Sequence, residues 1–336
     1  LSHFKYSFIF TALSLALISV WGFHTNGLTG IATALFFTSI LIVMEVSLSF
    51  DNAVVNASIL RDWDDYWKKI FLTIGIIVAV FGMRLLFPIL IVAQTADMGM
   101  LDVWRLALDN PALYSEKLTE HHAEISAFGG MFLLLVFLNF LFDEEKSIHW
   151  FSSFEKIVSK LGKIEAVSTL VALYILLFVA GSDSTVLIAG IWGVIVYLSV
   201  HALGVILEYL NSRKNRAASN VAKGSIGGFI YLEMLDASFS FDGVIGSFAI
   251  TNDIVIIMVG LGVGAMFVRS MTIYLVDKGT LDSYIYLEHG AHYAIGALAL
   301  IMIFGSIGLH IPEIITGLIG VSFIIWAYYS SKKHKS

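Results

Sequence analysis

No cysteine occurs anywhere in the 336 residues, so the chain holds no disulfide and no thiolate-bound zinc, copper(I) or iron–sulfur centre. Proline is nearly absent too, at three residues, and charged side chains make up only 14%, against about 25% in soluble globular domains. Hydrocarbon fills the gap: 58% of residues are hydrophobic and the mean hydropathy is +0.85. No soluble core needs that much apolar chain. The composition is that of a protein immersed in a bilayer, and the lipid bilayer, not nucleic acid, is the macromolecular partner it implies. The net charge of −6 adds little, because in a membrane protein the distribution of lysine and arginine among loops carries the information.

Ten apolar runs are long enough, or nearly so, to cross ~30 Å of hydrocarbon. They cover roughly 6–23, 30–59, 70–93, 121–142, 164–181, 184–209, 224–250, 253–276, 288–308 and 311–330. With the N-terminus in the cytoplasm and alternation thereafter, sixteen lysines and arginines fall inside and only Arg105 and Lys117 outside. That is the positive-inside pattern. The first run follows His3 and Lys5 and is read as a span, not a signal peptide, because the alternation needs it. The expectation is an all-α polytopic protein of the cell's inner (plasma) membrane with both termini cytoplasmic. Between spans 4 and 5, residues 143–163 place Phe151, Phe154, Val158 and Leu161 on one helix face and Lys156, Lys160 and Lys163 towards the other, as an interfacial amphipathic helix does.

Against this background, charge inside a span needs a reason, since it costs at least ~2.5–3.5 kcal/mol at bilayer depth. The stretch EVSLSFDN at 45–52 carries Glu45, Asp51 and Asn52, and DASFSFDG at 236–243 echoes it with Asp236 and Asp242. In each case the following span contains one arginine, Arg84 or Arg269, and the span after that opens with TEHHAE at 119–124 or LEHGAH at 287–292. Three echoes in the same order indicate an internal duplication of five plus five spans, residues 1–181 and 182–336. An odd number of spans per copy inverts the second copy. The two acidic motifs then face each other across an axis in the membrane plane, as in many secondary transporters.

Glu45, Ser49, Asn52 and Asn56 share one face of a helix, as do Asp236, Ser240, Gly243 and Ser247. Asp51 and Asp242 fall roughly 120° away from those stripes. Either each helix is polar on two sides or it unwinds near Leu48–Phe50 and Phe239–Phe241; the second is favoured, since unwinding frees backbone carbonyls as ligands. Carboxylate, amide and hydroxyl oxygens suit hard divalent cations such as Mn²⁺, Mg²⁺ or Ca²⁺. Arg84 and Arg269 would balance part of the charge, and the rest of an emptied site favours proton uptake in exchange for metal. The competing reading takes each acid–arginine pair as a structural ion pair. Glu120 with Glu124, and Glu288 with His292, lie at i, i+4 and form a possible second site or relay. Glu233, one turn before Asp236, is placed to join the site or line its entrance. Neither segment is HExxH, and no nucleophile, phosphate loop or redox motif stands out, so no enzyme and no resident cofactor is expected.

EVSLSFDNAVV and LDASFSFDGVIGSFAIT, with Arg269 one span later, resemble the TerC family of integral membrane proteins, named for tellurium resistance and related to the LysE-like exporters. Gly243-Val244-Ile245-Gly246 after the second aspartate marks a divergent branch. The resemblance implies export of manganese from the cytoplasm, with Glu45, Asp51, Asn52, Asp236 and Asp242 as metal-site residues. A non-transporting scaffold of a metal or tellurite stress response is the other class it leaves open.

Overall fold

A computed structural model of the chain describes residues 2–95, 97–164, 166–214, 225–309 and 311–335; within helices, some side chains, including those of Phe241 and Asp242, lie outside the description. Among the described residues the regular structure is entirely helical. The first half runs α1 (Lys5–Leu48), α2 (Phe50–Leu60), α3 (Asp65–Ile77), a π-helical segment (Val78–Leu86), α4 (Phe87–Thr95), α5 (Met100–Asp109), α6 (Pro111–Glu120), α7 (His122–Phe142), α8 (Ser152–Val158) and α9 (Val167–Ala180). The second runs α10 (Ser184–Lys214), α11 (Ile226–Phe248), α12 (Ile254–Asp277), α13 (Thr280–Ser283), α14 (Leu287–Gly305) and α15 (Glu313–Lys335). Among the described residues six helices are long and apolar enough to cross a membrane, or seven if the segments 152–163 and 167–180, bent by 104°, count as one span. The protein is thus a helical membrane protein by architecture as well as by composition.

The first of the six, α1, is itself a hairpin. Asn26 (φ −151°, ψ 34°) and Gly27 (φ 59°, ψ −142°) leave helical geometry, the latter in a conformation that glycine reaches without a Cβ clash. The arms then pass so closely that a Cβ on Gly22 would meet Ala34 Cβ at 2.9 Å. Both arms lie on α12 in opposite directions: Ser7 bonds Ser270 at 2.7 Å and Trp21 donates to Asp253 at 2.9 Å, whereas Leu41 abuts Gly260 and Glu45 abuts Gly264. Gly260 and Gly264, four apart, form the small-residue stripe that lets one transmembrane helix approach another closely.

Helix starts are set by local capping. Asp64 accepts from Trp67 N, Asn110 from Leu113 N ahead of Pro111, Ser225 from Gly228 N, and Asp253 from Val255 N and Ile256 N. The π-helical segment precedes Pro88, whose missing N–H and ring disturb the turn before it.

The segment after α7 differs in detail from the amphipathic expectation. The buried face of α8 is Glu155 and Ser159, while Phe154, Ile157 and Leu161 are exposed alongside Lys156 and Lys160. Glu155 turns inward because partners await it: Lys146 Nζ at 3.2 Å, Tyr293 Oη at 3.0 Å, Phe151 N at 3.2 Å and His289 Nε2 at 3.5 Å. Burial pushes its carboxyl up, but the His289 and Phe151 hydrogen bonds and the Lys146 charge outweigh this and hold it at about 2. The helix therefore grips α14 through a carboxylate and presents its apolar side chains outward, where a lipid surface would meet them.

Candidate cation site

The chain forms its acidic site where α2, α11 and the π-helical segment converge. Span 2 breaks at Ser49 (φ −99°, ψ 18°), while the bonds Ser49 N→Glu45 O (3.0 Å) and Ala53 N→Ser49 O (3.1 Å) persist. The expected second break is absent, since α11 runs unbroken through 239–241. The two serines differ in partner: Ser49 Oγ donates to the Glu45 carboxylate, whereas its counterpart Ser240 donates back to the Asp236 carbonyl at 2.6 Å.

Each arginine reaches the first acid of the acidic motif in its own half. Arg84 Nη2 bonds Glu45, and Arg84 Nη1 takes the Ala79 carbonyl at 2.7 Å. Arg269 holds Glu233 through two bonds, at 3.0 and 2.9 Å, reaches Asp236 at 3.3 Å, and donates to Phe71 O at 2.9 Å with its guanidinium 4.2 Å from the Phe71 ring centroid. Gly75 makes this possible, since a Cβ there would lie 2.6 Å from Glu233 Oε1 and collide with Arg269 Nη1. Glu233 is therefore part of the ion network and not an entrance residue. The two acidic motifs meet in the bond Asn52 Nδ2→Asp236 Oδ1 at 2.6 Å.

Asp51 stands apart. Its Oδ1 accepts from Asn52 N at 2.9 Å, and among the described residues no basic side chain pairs with it. It is 6% exposed and lines a cavity of about 430 Å³ together with Glu45, Ser49, Gly243 and His122. Glycine opens the space on two sides: a Cβ at Gly320 would come within 3.2 Å of Asp51 Oδ2, and one at Gly243 within 3.2 Å of Glu45 Oε2. From Asp51 the cavity runs past Ser126, His122 and Thr119 to the end of the bundle where α7 begins and α14 ends. In the other direction α2 is sealed, with Ala53, Val54, Val55, Ala57 and Leu60 fully buried.

Among the described residues no three histidine, aspartate or glutamate side chains form a ready-made metal cage. An ion beside Asp51 would complete its shell with hydroxyl oxygens and cavity water, as small hard divalent ions do. The expected approach of Asp51 to Asp242 involves a side chain outside the described residues. Among the described side chains four carboxylates (Glu45, Asp51, Glu233 and Asp236) face two guanidiniums, a formal excess of two negative charges.

The TEHHAE and LEHGAH acids lie elsewhere. Glu120 is exposed, Glu124 sits 3.4 Å from His121, and Glu288 lies 3.9 Å from Arg61. His292 donates from Nδ1 to the Glu288 carbonyl and stacks on Phe140 with centroids 3.9 Å apart. The residues of these motifs that reach the cavity are Thr119 and His122, and the titratable one, His122, has Ser126 Oγ 3.4 Å from its Nε2. Sequence reasoning passed over it, although His122 and Ser126 share a helix face at i, i+4.

With this geometry in place, comparison with known proteins gives one match. A family profile described as "Protein of unknown function (DUF475)" covers residues 50–335. The chain belongs to the DUF475 family. No curated protein and no solved structure matches it. The DUF475 match takes in both arginines, the second acidic motif and the first from Phe50 onward.

Proposed function

We propose that this DUF475 protein is a secondary transporter that exports a divalent metal cation, most consistent with Mn²⁺, from the cytoplasm across the inner membrane. The observation that carries the reading is Asp51, a buried carboxylate with no basic partner among the described residues, set in a cavity lined by elements of both halves of the chain. A structural acid would be paired, as Glu45 and Asp236 are. An unpaired one at this depth calls for a mobile cation.

Ten spans in two inverted five-helix repeats accommodate the elements once the α1 hairpin counts as two and α2 continues the second of them. The matched pairs Glu45–Arg84 and Asp236–Arg269 support the duplication. So does the packing: α2 lies on α12 and α14, while its counterpart α11 lies on the π-helical segment and α7. With the termini cytoplasmic, the cavity faces outward, past Thr119 and His122, and the sealed half of α2 faces the cytoplasm. The imidazole of His122 favours a transition-series ion over Mg²⁺ or Ca²⁺. The TerC resemblance points the same way. The second reading, a membrane scaffold of a metal or tellurite response, draws on the satisfied ion pairs but leaves Asp51 unexplained.

The test is transport by purified protein in proteoliposomes with a Mn²⁺-sensitive dye. Saturable Mn²⁺ flux, lost in Asp51→Asn while the variant still folds and inserts, is expected. Equal flux through empty liposomes and through the wild-type protein would overturn the proposal.

A further inference from the structure

A second group of polar atoms lies behind Asp51, on the sealed side, and the divalent-ion cavity does not reach it. Asn52 and Asn56 are each 1% exposed, and the side-chain oxygen of each has no hydrogen-bond partner among the described residues. The orientation of Asn52 is fixed by its Nδ2 donating to Asp236, so its carbonyl oxygen is the unsatisfied atom. Asn56 follows one turn later on the same face of α2. A buried amide oxygen without a partner costs about 1–3 kcal/mol. Here two stand together.

The charge around them is also out of balance. Glu233 and Asp236 share the single guanidinium of Arg269, while Arg84 is engaged by Glu45, so the group beside Asn52 carries one negative charge too many. Unsatisfied neutral acceptors together with one surplus negative charge describe the needs of a monovalent cation. Arg269 Nε is likewise unpartnered, and it is a donor that a cation does not serve. The sequence favoured protons as the exchanging ion. A proton neutralises one carboxylate and supplies at most one O–H donor, so it leaves at least one of the two amide oxygens unsatisfied.

We propose that Asn52, Asn56 and Asp236 form a binding site for one alkali-metal cation, separate from the divalent-ion cavity at Asp51. The two amide oxygens and the carboxylate act as its ligands, and the bound charge neutralises the Glu233–Asp236–Arg269 group. The site stands on these atoms alone. Only its role, as the ion exchanged for the exported metal, rests on the transport reading. The Asn52–Asp236 bond joins the two halves, so occupancy there also bears on how firmly the sealed side is held shut.

The experiment follows thermal unfolding of the full-length protein, purified metal-free in detergent, as NaCl or KCl replaces choline chloride at constant ionic strength. Wild type and Asp51→Asn should gain stability saturably with the alkali ion. Asn56→Leu, which keeps the volume and is at home in an apolar bundle, should need at least about tenfold more salt for the same gain, the loss of one ligand to a charge. Asn56→Asp, which keeps the oxygens, should respond at least as well as wild type and reports on the site if the leucine variant does not fold. The response of Asn56→Leu to MnCl₂ should be unchanged. Choline acting as well as sodium and potassium, or an unaltered alkali-ion response in Asn56→Leu, would overturn the site. A stabilisation that follows pH and ignores the alkali ion would overturn it in favour of protons. An alkali-ion response without any Mn²⁺ response in wild type would support the site and count against metal export.

Discussion

Asp51 and Glu45 are six residues apart, line the same cavity, and use their charge differently: Glu45 spends it on Arg84, and Asp51 leaves it available. Substitution should separate the two roles. Asp51→Asn keeps shape and the hydrogen bond from Asn52 N, so thermal stability should stay within about 1 kcal/mol of wild type while Mn²⁺ transport falls to background. Glu45→Gln strands a buried guanidinium, and unfolding measurements should show a loss of about 3–5 kcal/mol. Comparable losses of stability in both variants would assign Asp51 a structural role. At this scale the sequence was informative about carboxylates and arginines, because charge inside an apolar run is conspicuous. It was uninformative about His122, whose neighbouring acids were the louder signal and turned out to lie away from the cavity.

Elements reach these positions through small residues. Gly75→Ala should push the Arg269–Glu233 pair apart, since both groups are bonded at their ends and cannot swing away. A loss of about 1–3 kcal/mol is expected from such overpacking. Gly82→Ala in the π-helical segment, whose new Cβ would meet only Val78 at 3.6 Å, is the matched control and should be nearly neutral. Equal tolerance of the two would mean that Gly75 does not shape the site. Away from the spans, Glu155 fastens α8 to α14. Glu155→Gln should cost about 3 kcal/mol, by leaving the Lys146 ammonium buried without its counter-charge. The sign of its pH dependence follows from a carboxyl held at about 2 against an ordinary 4.5. Wild type keeps the contribution above pH 4.5 and loses it as pH falls towards 2, and the glutamine variant should be flat across that window. Apolar periodicity pointed to a helix within 143–163, and 152–158 forms one; it did not point to a glutamate facing inward, because the partners come from Lys146, His289 and Tyr293, distant or unpatterned in the chain. The break at Ser49 was legible from the polar spacing. Its absence in α11 was not, since 236–243 repeats the same polar spacing and yet stays helical.

At the scale of the whole molecule the two acidic motifs meet at the Asn52–Asp236 hydrogen bond, with a cavity on one side of it and a sealed core on the other. Helical class and membrane immersion followed from composition and run length alone. The turn of the α1 hairpin at Asn26 and Gly27 falls in the gap between the two predicted spans 6–23 and 30–59, where hydropathy placed it. If metal export works by exchange, Mn²⁺ flux in proteoliposomes should depend on the counter-ion on the opposite side, and replacing sodium and potassium by choline should slow it. Flux indifferent to that replacement but driven by a pH gradient would make protons the exchanged ion.

The account's central claim is that a divalent cation binds beside Asp51. Crystals of the protein soaked in MnCl₂ and measured at an X-ray energy where manganese scatters anomalously test it most directly, because the signal reports both the element and its place. The account predicts an anomalous peak in the 430 Å³ cavity within about 2.0–2.6 Å of an Asp51 carboxylate oxygen, absent in Asp51→Asn. A peak that survives the substitution, or manganese bound only at the protein surface, would contradict it.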